Sequence, residues 1–230
     1  MNRDLKPAIF ILLFVLVFMV AITSFFKNQD NLIKIAQLET ELKIRLEQEK
    51  KDQDYLKEIQ NQLIEENSRL KEELKKYENL SGYIENSFIT ANNIDEGKAK
   101  ELTDIFWQQV KLYDLDPWQA ASWIDQESNF KITAISCKGA IGLTQIMPKT
   151  GQELARKMNI KWEGSKTLLN PVNSLKMGFY HLNWGKKNSI NEHQAYSMYF
   201  WGYGNVKKKG LVETAYSASI FEKAEILRSV

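Results

Sequence analysis

A glutamate at the end of an apolar segment is the residue of this chain best suited to acid–base chemistry. Glu127 follows Trp123 and Ile124 and precedes Phe130, in a segment that begins at Pro117. Apolar neighbours remove water from a carboxyl group, which disfavours its charged form and raises its pKa. A carboxylic acid with a raised pKa can donate a proton near neutral pH. We therefore expect Glu127 to act as a general acid.

A hydroxyl, a glycine-rich turn and an amide follow Glu127 at short range. They are supplied by Ser136, by Gly139 and Gly142, and by Gln145. The glycines allow tight backbone turns and the close approach of a ligand. Together these groups could protonate a glycosidic oxygen and hold an N-acetyl sugar beside it. A lone glutamate at a helix end usually has no such role, so the downstream pattern is what favours the chemistry.

The order of these motifs resembles the soluble lytic transglycosylase family, enzymes with a goose-lysozyme-like fold that cut the glycan strands of bacterial peptidoglycan. The resemblance covers about residues 98–230. The residues that match its first motifs are Glu127, Ser128, Phe130, Ala134, Ser136, Gly139, Ala140, Gly142, Leu143, Gln145, Met147, Pro148 and Thr150. The residues that match its later motifs are Asn170, Pro171, Asn173, Gly178, Tyr180, Leu182, Ala195, Tyr199, Gly202, Gly204, Glu213, Thr214 and, with a one-residue offset, Tyr216.

The resemblance implies a mechanism with one carboxylate, as in other substrate-assisted glycosidases. Glu127 would protonate the oxygen that links N-acetylmuramic acid to N-acetylglucosamine, and the muramic acid's own N-acetyl group would stabilise or attack the anomeric carbon. Glu127 would then accept the proton of the C6 hydroxyl, which closes a 1,6-anhydro ring. Ser136 and Gln145 would hydrogen-bond the acetamido group or Glu127, and Tyr199 would orient Glu127 or the sugar. The further residues expected to bind substrate are Glu213 and Tyr216.

Three residues depart from the family pattern. Phe200 and Trp201 stand where the family has Asn and Ala, and Thr144 stands where Met is common. The first two replace a polar group with bulk near the expected cleft, so we expect reshaped substrate contacts.

Two alternatives to the transglycosylase stay open. One is a hydrolytic lysozyme that uses water in place of the C6 hydroxyl, and the other is a non-catalytic glycan-binding scaffold of a cell-envelope assembly.

Charge and aromatic residues are unevenly distributed along the chain. Residues 98–230 contain 18 Lys and Arg against 12 Asp and Glu, and they contain all six Trp. Residues 27–97 have a net charge of −5. A basic, aromatic-rich domain suits an anionic polymer, although a merely soluble surface would give the same count.

The single cysteine, Cys137, excludes an internal disulfide. With only two histidines, we expect no metal or other cofactor, and we expect no nucleic-acid partner.

The N-terminal segment is long and apolar enough to cross a membrane. Residues 7–26 carry no charge and would span about 30 Å as a helix. Arg3 and Lys6 precede this segment, and Lys27 follows it. The two positive charges on the N-terminal side favour a cytoplasmic N-terminus. A cleaved signal peptide is the alternative. The absence of a clear cleavage site favours an uncleaved, single-pass anchor in the inner or cytoplasmic membrane, with the remaining chain on the periplasmic or other extracytoplasmic side.

A polar, charged segment without Pro or Gly follows over residues 31–80. A heptad that starts at Ile35 has one good core position, occupied by Ile35, Leu42, Leu56, Leu63, Leu70 and Tyr77, with Glu49 as the exception. The second core position is poor, since it combines Leu38, Ile59 and Leu80 with Arg45, Asp52, Glu66 and Glu73. This pattern indicates either a weakly self-associating coiled-coil stalk or a single charged helix that acts as a spacer.

The whole sequence therefore predicts a mainly α protein with four parts. These are a transmembrane anchor over residues 1–27, a helical, coiled-coil-like stalk over 28–80, a linker over 81–97 and a lysozyme-like helical catalytic domain over 98–230. Ser81 and Gly82 are expected to end the stalk helix. In the catalytic domain, an Asp or Asn followed by Pro at Pro117 and Pro171 predicts two helix starts. The expected partners are glycan strands, the membrane and a weakly bound second copy.

Overall fold

The computed structural model describes residues 5–229, with the side chains of residues 5–9 and 26 not included. Arg3, which supports the predicted membrane orientation, lies outside the described residues, and so does the side chain of Lys6. The chain divides into two units between Leu70 and Lys71. The boundary lies within the predicted stalk, ten residues before its predicted end.

Helices account for most of residues 5–229, and this range contains only two isolated β-bridges and no strand. The mainly α prediction is therefore confirmed. The helices are α1 (Leu5–Asn92), α2 (Glu96–Tyr113), α3 (Pro117–Ser128), α4 (Pro148–Lys157), α5 (Ser165–Leu169), α6 (Pro171–Asn188), α7 (Glu192–Trp201), α8 (Tyr203–Lys209) and α9 (Ala215–Ser229).

The first unit consists of the N-terminal part of α1. Near its start, an 18-residue window reaches a mean hydropathy of 2.5, with none of its residues buried. By length and composition this is the one helix of the described residues that could cross a membrane. Beyond it lies the predicted seam, which is the row of apolar residues at the good core position. Its members in this unit are exposed, and they are Ile35, Leu42, Leu56, Leu63 and Leu70. The predicted helix is confirmed, while pairing through the seam stays a prediction.

The predicted helix break at Ser81 and Gly82 is wrong, because α1 continues to Asn92. Leu80, Ile84 and Phe88 lie one turn apart and are buried at 2%, 0% and 0% exposure. Burial of three large apolar side chains outweighs the cost of about 1 kcal/mol for one glycine inside a helix. Most of the predicted linker is therefore helical and belongs to the core of the second unit.

The end of the predicted stalk also belongs to this second unit. The Tyr77 ring lies 5.0 Å from Trp118 and 6.0 Å from Trp107, measured between ring centroids. Leu80 is buried in the same core. Both residues occupy predicted coiled-coil positions. They are unavailable for pairing with a second stalk, because they pack within their own chain.

Side-chain caps explain where two helices of the predicted catalytic domain begin. The Asp116 carboxylate accepts a hydrogen bond from the Gln119 amide at 2.9 Å, and Pro117 occupies the first turn of α3. The Asn170 side chain accepts from the Asn173 amide at 3.0 Å at the start of α6. Both predicted helix starts are confirmed. The short helices α5 and α8 were not predicted, since five and seven residues give too little periodicity.

Two apolar clusters hold the second unit together. In the larger one, Trp123 of α3 meets Phe179 of α6 edge to face at 5.4 Å, and Phe179 meets Phe106 of α2 at 5.7 Å. The smaller cluster joins Ile141 and Ile146 of a loop to helices α4, α5 and α6. The loop between α3 and α4 therefore has an apolar anchor of its own, which is needed because it carries polar residues of the predicted site.

We predict that Gly82→Ala raises the unfolding temperature of the protein. A Cβ at this position would meet no atom within 4 Å, and alanine is about 0.5–1 kcal/mol better than glycine inside a helix. The matched control is Gly178→Ala in α6, where the added Cβ would lie 2.5 Å from the Thr144 side chain and should destabilise the fold. Thermal unfolding of both variants checks this. No stabilisation by Gly82→Ala would contradict a helix at that position.

Candidate active site

Glu127 lies in the last turn of α3 and lines a cleft of about 1050 Å³. Of the described residues that line this cleft, Glu127 is the only carboxylate, and two lysines accompany it. The lining residues are Gln126, Glu127, Ser136, Cys137, Lys138, Ala140, Gln145, Met147, Tyr199, Phe200, Trp201, Lys209, Leu211, Thr214, Ala215 and Tyr216. The structure thus brings together Glu127 and four of the five predicted substrate-binding residues.

Two opposing effects set the ionisation of Glu127. Burial is the larger effect and raises the pKa of the carboxyl group, so that the net value with both effects is about 7. The Tyr216 hydroxyl donates a hydrogen bond to Oε1 of Glu127, which favours the carboxylate and lowers the pKa. With a pKa near 7, both the acid and the base form are populated at neutral pH. The same group can therefore give up a proton in one step and accept one in the next.

Helix α9 carries Tyr216, and ion pairs hold this helix against α3. The Lys223 ammonium lies 2.5 Å from the Asp125 carboxylate, and the Arg228 guanidinium pairs with Asp116. The same guanidinium lies 4.9 Å from the centroid of the Trp118 ring, a distance at which a cation and an aromatic ring attract each other. These contacts fix how α9 lies along α3, and hence where the Tyr216 hydroxyl meets Glu127.

The start of α9 is fixed by a second group of polar contacts. The Thr214 amide donates to the Ser217 hydroxyl at 3.0 Å, and the Ser217 amide donates to the Thr214 hydroxyl at 3.3 Å. The Ser197 hydroxyl of α7 lies 3.0 Å from the Thr214 hydroxyl. Such reciprocal bonds satisfy the free amides at a helix start. Tyr216 lies between the two bonded residues, so its backbone position is tightly defined.

The turn after Glu127 is held by the end of α1. Asn129 and Phe130 both have positive φ angles, of 49° and 59°, which are unusual for residues other than glycine. Asn92 donates from its side-chain nitrogen to the Phe130 carbonyl at 2.9 Å and accepts from the Ile132 amide at 2.8 Å. The Phe130 ring meets Phe88 edge to face at 5.1 Å. Sequence reasoning missed Asn92, since it was placed in a linker.

Ser136 and Gln145 line the cleft while they brace the loop that carries them. The Ser136 hydroxyl accepts from the Ala140 amide at 3.0 Å. The Gln145 side-chain nitrogen donates to the carbonyls of Ala134 and Gly142 at 3.1 and 2.9 Å. Both donor hydrogens of this amide are thereby used within the loop. Its oxygen is left as the group that can accept a hydrogen bond from a ligand.

Gly142 is required at its position in this loop. Its φ is +81°, and a Cβ there would lie 2.2 Å from the Leu168 carbonyl oxygen. Only a residue without a side chain fits so close to α5. The predicted need for glycine is thus explained by a close approach of two backbones within the protein.

Two of the predicted site residues have other surroundings than expected. Tyr199 donates its hydroxyl hydrogen to the Thr144 carbonyl at 2.5 Å, and its ring packs against Trp123 at 5.0 Å. Tyr199 is expected from the sequence to orient Glu127 or the sugar; the hydrogen bond to Glu127 is made by Tyr216, and a contact of Tyr199 with the sugar stays a prediction. Glu213 is exposed and is not among the residues that line the cleft. Glu213 thus stays outside the cleft, although its neighbours Thr214 and Tyr216 line it.

The residues that depart from the family pattern fall into two groups. Thr144 is fully buried, and its hydroxyl donates to the Ser174 carbonyl at 2.9 Å, so this substitution concerns packing. Phe200 and Trp201 line the cleft, and Phe200 stacks on Tyr216 with 4.4 Å between ring centroids. The bulk at these positions therefore lies in the cleft itself.

Among the residues described, no group of three or more His, Cys, Asp or Glu is placed to hold a metal.

Comparison with known families identifies the family to which this chain belongs. Residues 105–221 match the model of the family described as the transglycosylase SLT domain. The chain belongs to the transglycosylase SLT family. The matched range runs from α2 into α9 and includes every cleft-lining residue of this SLT domain. The family that the sequence motifs indicated is thus confirmed, while the roles of single site residues stay predictions.

Several solved structures are similar to the SLT domain. An inactive mutant of the lytic transglycosylase Slt from Pseudomonas aeruginosa is 24% identical, with a TM-score of 0.43, over 55% of this chain and 21% of that one. A 70-kDa soluble lytic transglycosylase in complex with bulgecin A is 23% identical, with a TM-score of 0.44, over 55% and 21%. The 70-kDa enzyme from Escherichia coli is 20% identical, with a TM-score of 0.44, over 65% and 27%.

The chain thus spans about a quarter of the length of these larger enzymes. A search of curated proteins gave no match. The family assignment rests on the match over residues 105–221.

We predict that Tyr216→Phe raises the pKa of Glu127 above its value of about 7. The phenol hydrogen bond stabilises the carboxylate, so its loss favours the protonated form and moves the titration to higher pH. The matched control is Tyr199→Phe, since the Tyr199 hydroxyl bonds Thr144 and not Glu127. Titration of the glutamate carboxyl carbons by NMR measures the shift. An unchanged or lowered pKa in Tyr216→Phe would show that this bond does not control Glu127.

Proposed function

We propose that this chain is a membrane-anchored peptidoglycan lytic transglycosylase that cleaves the β-1,4 bond between N-acetylmuramic acid and N-acetylglucosamine. The observation that carries the proposal is a partly buried carboxyl group with a pKa of about 7, unaccompanied by another carboxylate in the described cleft lining of an SLT domain. Glycosidases with two catalytic carboxylates need the second one at the cleft. A single carboxylate suits a mechanism in which the substrate supplies the other group.

In the first step, protonated Glu127 gives its proton to the glycosidic oxygen, and the bond from that oxygen to the anomeric carbon breaks. The carbonyl oxygen of the muramic acid's acetamido group forms a bond to the anomeric carbon in its place. The Tyr216 hydrogen bond favours the carboxylate that this step creates. Glu127 therefore becomes the stabilised base needed for the next step.

In the second step, the Glu127 carboxylate accepts the proton of the C6 hydroxyl of the muramic acid. The C6 oxygen bonds to the anomeric carbon, the acetamido oxygen leaves, and a 1,6-anhydro ring closes. No water is consumed, so the products differ by the mass of one water from those of a lysozyme. Gln145 Oε1 is suited to accept the acetamido N–H, and the Ser136 hydroxyl can donate to the acetamido oxygen.

We predict that Glu127→Gln lowers glycan cleavage by about 10²–10⁴-fold, since the amide keeps the shape and loses the transferable proton. The matched control is Glu213→Gln, which changes an exposed carboxylate outside the cleft lining and should keep cleavage near wild type. Mass analysis of the products from purified peptidoglycan shows whether the new glycan ends are anhydro or reducing ends. Anhydro ends support the proposal, and reducing ends would replace it with a lysozyme. Wild-type protein that binds but never cuts would be a scaffold.

We further propose that the N-terminal part of α1 is an uncleaved anchor in the inner or cytoplasmic membrane. Its apolar, exposed side chains and its mean hydropathy of 2.5 support this. The catalytic domain would then lie on the periplasmic or other extracytoplasmic side, where peptidoglycan is found. The proposed topology places residues 27–230 outside the cytoplasm.

We predict that Cys137 reacts with a membrane-impermeant maleimide on intact spheroplasts. It is the sole cysteine of the chain and is exposed, so it reports the side on which the domain lies. Cys137→Ser should abolish labelling, and permeabilised cells give the full signal for comparison. Labelling only after permeabilisation would place the domain in the cytoplasm. A mature N-terminus beyond about residue 20 would show a cleaved signal peptide instead.

We also propose weak self-association of the stalk through the seam between Ile35 and Leu70. Seven-residue spacing places these apolar, exposed side chains on one face, and charged residues at the second core position limit the strength. Leu56→Lys should shift the full chain in detergent towards monomer in sedimentation equilibrium. Ile44→Lys, which changes an equally exposed residue off the seam, should not. A monomeric wild-type chain at high concentration would leave a simple spacer.

A further inference from the structure

Two adjacent aromatic side chains lie exposed in the wall of the cleft. Phe200 and Trp201 at the end of α7 are 51% and 44% exposed, and both line the cleft. Large aromatic groups left in water cost hydrophobic free energy that burial would recover. Exposed apolar surface inside a concave site is typical of ligand contact. The pair is therefore suited to being covered by substrate.

The aromatic surface is continuous with the residue that holds Glu127. Phe200 stacks on Tyr216 at 4.4 Å with an interplanar angle of 20°, and Trp201 meets Phe200 edge to face at 5.2 Å. One aromatic wall thus runs from the proposed acid to Trp201. A pyranose ring carries C–H groups on its faces, and these pack against the electron-rich face of an aromatic ring. A sugar on Trp201 would belong to the same glycan strand as the sugar at Glu127.

A lysine lies over the outer aromatic ring. The Lys209 ammonium is 5.7 Å from the centroid of Trp201 and lines the cleft with it. The attraction between a cation and an aromatic face favours this placement. Lys138 also lines the cleft, so two cations accompany the single carboxylate of Glu127. A ligand stacked on Trp201 therefore meets a positive charge, which suits an anionic substituent on the sugar.

We propose that Trp201, Phe200 and Lys209 form a binding subsite for a sugar ring that bears an anionic substituent, as does a muramic acid with an acidic peptide on its lactyl group. This inference rests on the proposed function and deepens it. It names glycan whose muramic acids carry an anionic lactyl or peptidyl group as the preferred substrate, over glycan in which these groups are neutral. Trp201 and Phe200 supply the stacking surface, and Lys209 supplies the preference for the anion.

Binding is measured by co-sedimentation of the full chain, in detergent and with Glu127→Gln to prevent cleavage. The two probes are insoluble peptidoglycan with its peptides and the same glycan after an amidase has removed them and the freed lactyl carboxylates have been amidated. Trp201→Ala should weaken binding to both probes by roughly tenfold. Lys209→Gln should weaken binding to the peptide-bearing glycan alone, by about twofold to fivefold at low salt, and added salt should reduce this difference.

The chain provides a matched control pair. Tyr203 is 42% exposed, and the Lys207 ammonium lies 5.7 Å from its ring centroid, as Lys209 does from Trp201. Neither Tyr203 nor Lys207 is among the residues that line the cleft. Tyr203→Ala and Lys207→Gln should therefore leave binding to both probes unchanged. Thermal unfolding verifies the fold of every variant, and Trp201→Phe, which keeps a flat ring, should retain most of the binding.

Three results would overturn the subsite. These are unchanged binding by Trp201→Ala, an equal effect of Lys209→Gln on both probes, and no binding by the parent protein. Cleavage by protein with Glu127 intact is assayed separately. Cleavage that does not depend on Trp201 overturns the subsite and leaves the transglycosylase proposal in place. Binding that depends on Trp201, without any cleavage by the wild-type chain, overturns the enzymatic proposal and supports the subsite.

Discussion

The placement of one carboxyl group between apolar packing and a single phenol is the constraint on which the site depends. Burial alone would hold Glu127 in its neutral form, and the Tyr216 hydroxyl restores part of the stability of the carboxylate. The resulting pKa of about 7 requires both effects at once. A group that must act as acid and then as base needs this balance, because neither form may be too stable.

Much of the second unit serves to keep the phenol and the carboxyl together. The two residues are 89 positions apart in sequence, on α9 and α3. Lys223 pairs with Asp125 of α3 and Arg228 with Asp116, the residue that caps its start, while Ser217 and Thr214 fix the first turn of α9. A partly exposed ion pair contributes little free energy. Here two of them act on one helix, and their effect is to select a single register.

The end of α1 is the part of the fold that sequence patterns described least well. Ser81, Gly82 and the pair Asn92–Asn93 have the composition of a loop. In the folded protein Leu80, Ile84 and Phe88 are buried, and Asn92 holds the strained turn at Phe130. Helix propensity is a weak preference that tertiary burial overrides. The helix that begins in the apolar segment therefore ends as a support of the candidate site.

The amino-acid sequence by itself determined the helical class, the capped starts of α3 and α6 and the family, and it indicated Glu127 as the candidate acid. Caps and the first motifs are local, since their residues lie close together in the chain. The sequence placed Ser136 and Gln145 at the cleft for the same reason, and it placed Tyr199 and Tyr216 there through the later family motifs. Only the tertiary structure decided that Tyr216, and not Tyr199, bonds Glu127, that Glu213 stays outside, and that Asn92 takes part. These contacts join residues 38 to 89 positions apart, and their geometry depends on how whole helices pack.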